Sequence, residues 1–124
     1  MRLRAQELFA ASDVVLAHDG GDPSLDPGPR LIYANAAALR LWRRSWGELV
    51  GMPSRLTAEP EQRLTRSEAL ERARVSGGIR GYSGIRIDSQ GRRFQIVGAR
   101  IWSLIAVDGA VCGQAAAFEN WWWL

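Results

Sequence analysis

The sequence has no lysine: all 16 basic residues are arginine, set against 13 acids for a formal net charge of +3. The high sequence pI, near 10.0, therefore reflects arginine's resistance to deprotonation rather than a dense positive surface. No extended block of like charge occurs, so no nucleic-acid partner is expected. The single cysteine, Cys112, cannot form an internal disulfide, and with His18 as the one histidine it makes a poor metal site. No apolar run approaches the roughly 20 residues of a membrane-spanning helix, and Met1-Arg2-Leu3-Arg4-Ala5-Gln6-Glu7 lacks the apolar core of a secretory segment. Internal repeats and low-complexity stretches are also missing. These absences exclude a disulfide-stapled miniprotein, a zinc module and a helical membrane protein, and leave a cytoplasmic domain as the expectation. What is present is ordinary globular composition, 47% hydrophobic and 23% charged over 124 residues. That length suits one compact domain, not two, and folding it removes roughly two-thirds of the unfolded chain's surface from water.

Leu3 to Ala11 predicts a short flanking helix within 1–12, and Asp13 to His18 a buried strand stopped by Asp19-Gly20-Gly21-Asp22-Pro23. After a turn-rich stretch, Leu31-Ile32-Tyr33 reads as a second short strand. Asn35 then caps a helix from Ala36 to Arg43, with Leu39, Trp42 and Trp46 in one apolar stripe. Ser45 starts another short turn of helix, closed by Gly51. Pro60 suits the first position of a longer helix to Val75, with Glu59/Arg63 and Glu68/Arg72 spaced for exposed ion pairs. Leu64, Ala69, Leu70, Ala73 and Val75 share no clean face, which predicts a helix lying on the surface and ended by Gly77-Gly78. Ile79–Ile87, Arg93–Ile105 and Ala110–Phe118 are strands joined by turns at Asp88-Ser89-Gln90-Gly91 and Val107-Asp108-Gly109, an antiparallel meander. The pattern is α+β: a five-stranded antiparallel sheet with short helices on one face and a concave space between them.

Leu31-Ile32-Tyr33-Ala34-Asn35, Trp46-Gly47-Glu48-Leu49-Val50-Gly51, Gln90-Gly91-Arg92-Arg93-Phe94 and Asp108-Gly109-Ala110-Val111-Cys112-Gly113-Gln114 resemble successive elements of a PAS domain. A sharper resemblance is to the MEKHLA family, a PAS-like family of stand-alone bacterial proteins that also ends plant class III homeodomain–leucine zipper factors. It is carried by Pro53-Ser54-Arg55-Leu56-Thr57-Ala58-Glu59-Pro60, Tyr82-Ser83-Gly84-Ile85-Arg86-Ile87, Gly91-Arg92-Arg93-Phe94, Gly113-Gln114-Ala115-Ala116, Phe118 and Trp121. It spans about Leu8 to Trp121, so the chain, 1–124, reads as a single PAS-like domain. The family's six naming letters do not occur as a string.

Arg55, Thr57, Tyr82, Arg86, Trp102 and Gln114 are the candidate ligand-binding residues. Arg55 and Thr57 lead into the long helix, where an arginine at a pocket mouth holds a carboxylate or phosphate in a bidentate contact. The plainer reading makes Thr57 a turn residue and pairs Arg55 with Glu59. Tyr82 and Arg86 alternate with Arg80 on one strand face; they orient a polar ligand group, or form the solvated side to which such alternation ordinarily points. Along the next strand Phe94, Ile96, Gly98, Arg100, Trp102 and Leu104 look like the inner set. A bulge near Gly98 would shift this phase and free Arg100, which otherwise faces a ligand or an internal acid. Gln114 is the one strongly polar residue of its strand. In flavin-binding PAS relatives a glutamine there contacts the flavin; alternatively, backbone or water satisfies it. Cys112 lacks the Asn-Cys-Arg context of the photoreactive cysteine, and His18 lies on a strand where haem ligands lie on helices, so both read as structural. Trp121-Trp122-Trp123-Leu124 cannot all face inward, which makes Trp122, Trp123 and Leu124 interface candidates.

No nucleophile, base and acid share a motif spacing, so no catalytic residue is assigned. The resemblance implies a non-enzymatic sensor or interaction module working by population shift. No cofactor is expected, and an unidentified small molecule, a protein partner and a homodimer are. The alternatives are a purely structural homodimerisation domain with a ligand-free core, and an enzyme whose small acidic substrate is held by Arg55 or Arg86.

Overall fold

The computed structural model describes residues 5–124, and the start of the expected flanking helix, 1–4, lies outside them. The order is α1 (Ala5–Ala10), β1 (Val14–His18), β2 (Leu31–Ala34), α2 (Ala36–Trp42), α3 (Trp46–Leu49), a 3-10 turn (Ser54–Thr57), α4 (Pro60–Ser76), β3 (Gly78–Ile87), β4 (Arg93–Ile105), β5 (Val111–Phe118) and β6 (Asn120–Trp123).

Asn35 joins helix to sheet. Its Oδ1 accepts from the N–H of Ala38, capping α2, and from that of Val15 on β1, at 3.1 and 3.0 Å. Its Nδ2 donates to the carbonyl of Asp13 at 2.7 Å. A fully buried amide thus has both ends satisfied, and α2 is held at a fixed angle on the sheet. Ser45 and Glu48 form a reciprocal capping box at α3. Trp46 departs from the expected stripe. The chain turns at Arg43 (φ 55°), so Trp46 opens α3 instead, 44% exposed and edge-on to Tyr33.

All strand pairings are antiparallel, in the order β2-β1-β5-β4-β3. A sixth strand joins them: β6 pairs with β4 from Phe94 to Val97, along the edge that β5 occupies from Arg100 to Ile105. Because Arg100 faces Ala117 and Val97 faces Asn120, β6 is β5 continued in one register. The bulge expected near Gly98 is present, and it has counterparts. Inward residues two apart elsewhere become three apart at Ile79–Tyr82, Ile96–Ala99 and Phe118–Trp121. Gly81 (φ 72°) and Gly98 (φ 69°) take the left-handed conformation at the first two steps. After the step Arg100 turns to the outer face, 4.0 Å from Asp13. The helices cover the other face, where Trp42 meets Phe94 and Phe118 edge-on, with ring centroids 5.1 and 6.3 Å apart.

The ion pairs expected along α4 form differently. Glu59 lies 3.6 Å from Arg93, Arg63 donates to the carbonyls of Arg55 and Ala58, and the pair on the helix itself is Glu71–Arg74 at 2.6 Å.

Candidate functional site

The long helix turns an arginine inward. Ala69 and Ala73 are buried, and side chains this small let α4 lie close against the sheet. Arg66 stands on the same stripe, three residues before Ala69, and is only 8% exposed, while Leu64 and Val75 are 70% and 73% exposed. The helix thus buries one of its four arginines while Leu64 and Val75 face outward. Arg66 Nη2 donates to the buried Ser54 Oγ at 2.8 Å.

Opposite, β3 contributes Tyr82 and Arg86. The solvated face expected here is the inner face: both are 8% exposed and both line a cavity beneath α4. Arg86 Nη2 donates to the Tyr82 hydroxyl at 3.1 Å, and Gly84 between them leaves the room for that contact. Arg80 does not share their side; the step at Gly81 leaves it exposed.

Two further polar residues close the chamber. His18, paired with Gln114 across β1 and β5, accepts the Gly20 N–H at Nδ1. Its proton therefore sits on Nε2, which is buried beside the Gln114 side chain without a well-aligned hydrogen bond. Burial, followed by the positive charge of Arg66, pushes the imidazole down to about 4, partly offset by Asp19 and Gln114, so it is neutral near pH 7. Gln114 donates through Nε2 to the Leu70 carbonyl at 2.8 Å, tying β5 to α4. Burial and the charge of Arg86 bring Arg66 down to about 9, so it still carries its proton near pH 7.

The cavity measures about 60 Å³; a water needs roughly 10–15 Å³ of such space, so it has room for a few waters or a small organic molecule. Leu16, Trp42, Ile101 and Phe118 supply much of its apolar wall. A groove between the loop from Gly20 to Pro29 and α4 shares His18, Arg66, Leu70 and Gln114 with the lining of the cavity.

The candidates from sequence divide accordingly. Thr57, Tyr82, Arg86 and Gln114 line the cavity, with Thr57 Oγ1 donating to the Ser54 carbonyl. Arg55 lies outside it in the groove, 3.5 Å from Asp26 rather than paired with Glu59. Trp102 pairs with Ala115 in the row beside Arg100 and Ala117, on the outer face, because the step at Gly98 has already reversed the phase. Trp123, 36% exposed, stands edge-on to Phe94 and Trp121 with the Arg92 guanidinium 3.8 Å above its ring. Trp122 and Leu124 remain more than half exposed. Cys112 is exposed, and among the described residues no three His, Cys, Asp or Glu side chains gather as a metal site. No described helix is long and apolar enough to cross a membrane. Sequence reasoning missed Arg66, although its spacing from Ala69 and Ala73 was the available signal, and gave His18 only a structural role.

Helices over one face of an antiparallel sheet, with a cavity between, are the arrangement of a PAS-like domain. Solved structures share it. A PAS domain from Colwellia psychrerythraea has a TM-score of 0.76 at 15% identity over 92% of this chain and 90% of that one. A light-oxygen-voltage domain whose mechanism was probed with a flavin analogue has 0.70 at 19% identity, over 96% and 82%. An RNA-binding light-oxygen-voltage receptor has 0.71 at 18% identity, over 90% of this chain and 30% of that longer one. Within this class the chain belongs to the MEKHLA domain family, whose model matches residues 1–123. Among curated proteins none matches it.

Proposed function

We propose that this MEKHLA domain is a non-enzymatic cytoplasmic sensor that binds a small molecule between α4 and the sheet and reports occupancy through association. The carrying observation is a largely apolar chamber with a buried donor, His18 Nε2, that lacks a well-aligned hydrogen bond, and two inward arginines. Unpartnered buried polar groups cost free energy that a bound molecule recovers. A purely structural module would gain by filling the same space with apolar side chains.

A route outward supports the sensing role. Arg86 pairs across the sheet with Phe94, and Phe94 with Trp123, in one cross-strand row. A ligand that repositions Arg86 biases that row, and with it the neighbouring Trp122 on the outer face. Trp122 and Leu124 form the centre of a homodimer or partner interface in this reading. Catalysis has no place in it, because His18 Nδ1 is engaged by Gly20 and the cavity sets no nucleophile beside a base.

Native mass spectrometry of freshly purified protein, beside its denatured mass, tests the proposal. Extra mass lost on denaturation supports it. A bare chain that no member of a small-molecule library stabilises thermally leaves the structural dimerisation module as the better account.

A further inference from the structure

We infer that the cavity takes a small carboxylate with a short apolar tail, its carboxylate held between the guanidiniums of Arg66 and Arg86. This rests on the sensor reading above and names the ligand's chemistry.

Four exposed or half-exposed arginines have an acidic partner: Arg55 has Asp26, Arg74 has Glu71, Arg93 has Glu59 and Arg100 has Asp13. The two arginines of the cavity are the buried ones, and among the described residues neither forms an ion pair. This inverts the usual rule that a buried charge is paired. They also lie close enough for the charge of Arg86 to act on Arg66.

Donor accounting points the same way. A guanidinium has five N–H groups. Arg66 donates to Ser54 Oγ, and Arg86 to the Ile85 carbonyl and the Tyr82 hydroxyl, so both keep further N–H groups for a ligand. His18 adds a neutral Nε2–H. The acceptors in the lining, such as Tyr82 Oη and the Gln114 amide oxygen, are neutral and balance no charge. The missing component is an anion whose geometry matches a planar fork, as a carboxylate does. Leu16, Trp42, Ile101 and Phe118 then demand that the rest of the molecule be apolar, and about 60 Å³ that it be short.

The test uses the full chain and matched probes: propionate, butyrate and benzoate against propionamide, butyramide and benzamide, with inorganic phosphate alongside, by calorimetry and thermal unfolding. At least one acid is expected to bind and to raise the melting temperature, with its amide inert. Arg66→Gln and Arg86→Gln should each weaken that acid by about tenfold or more, while circular dichroism stays native. Arg86→Lys, which keeps the charge, should weaken it less if that loss comes from charge, not misfolding. Amides binding as well as acids, or phosphate binding where all three acids fail, would overturn the inference. A neutral molecule retained in native mass spectra would also overturn it and leave the sensor reading standing. An empty cavity that no probe enters would overturn both.

Discussion

Tyr82 and Arg86 meet only because residue 84 has no side chain. A Cβ there would stand 2.6 Å from the Tyr82 hydroxyl oxygen and 3.0 Å from Arg86 Nη1. Gly84→Ala should therefore cost roughly 1–3 kcal/mol in urea unfolding, as overpacking does. Arg66 predicts the opposite sign. It is a buried cation with no ion-pair partner, and replacing even paired buried charges by apolar residues is often neutral or stabilising by about 1–4 kcal/mol. Arg66→Met should thus raise the urea midpoint of ligand-free protein, and an unchanged or lower midpoint would show the charge to be compensated. His18 sets a pH dependence. Its folded pKa is depressed from 6.5 to about 4, so between those values the unfolded chain binds more protons and stability rises with pH. Stability is full above pH 6.5 and declines through that window; a shift of this size corresponds to about 3 kcal/mol by pH 4. Urea titrations from pH 4 to 8 should show this decline, and His18→Gln should flatten it.

At the scale of elements, Asn35 is the joint most exposed to mutation. Asn35→Ala removes the cap of α2 and strands the buried Val15 N–H, which should cost roughly 3 kcal/mol in chemical denaturation. A loss below about 1 kcal/mol would mean that water replaces the side chain. This cap was legible from local sequence, as were the two hairpins and Pro60 at the start of α4, because each depends on residues a few positions apart. The site was legible only in part. Tyr82 and Arg86 alternate as a solvated face does, and only α4 packing above them reverses that meaning. Arg66 was hidden because Leu64 and Val75, the residues that hydrophobicity would turn inward, point out. The phase of β4 at Gly98 was readable from Arg100, but the matching steps in β3 and β6 depend on pairing partners distant in sequence.

For the whole molecule, the row from Arg86 through Phe94 to Trp123 makes the C-terminal strand the place to look for output. If Trp122 anchors association, Trp122→Gln should shift sedimentation from dimer to monomer without changing the melting temperature, since that side chain is 53% exposed. A dimer that persists would move the interface elsewhere. The steps at Ile79–Tyr82, Ile96–Ala99 and Phe118–Trp121 carry a different consequence, for how such a chain evolves. Losing one residue from a single strand would turn every side chain beyond it to the wrong face. A lineage that shortens one of these strands must shorten its neighbours as well, so in the family's history insertions and deletions at Gly81, Gly98 and Glu119 should appear together or not at all.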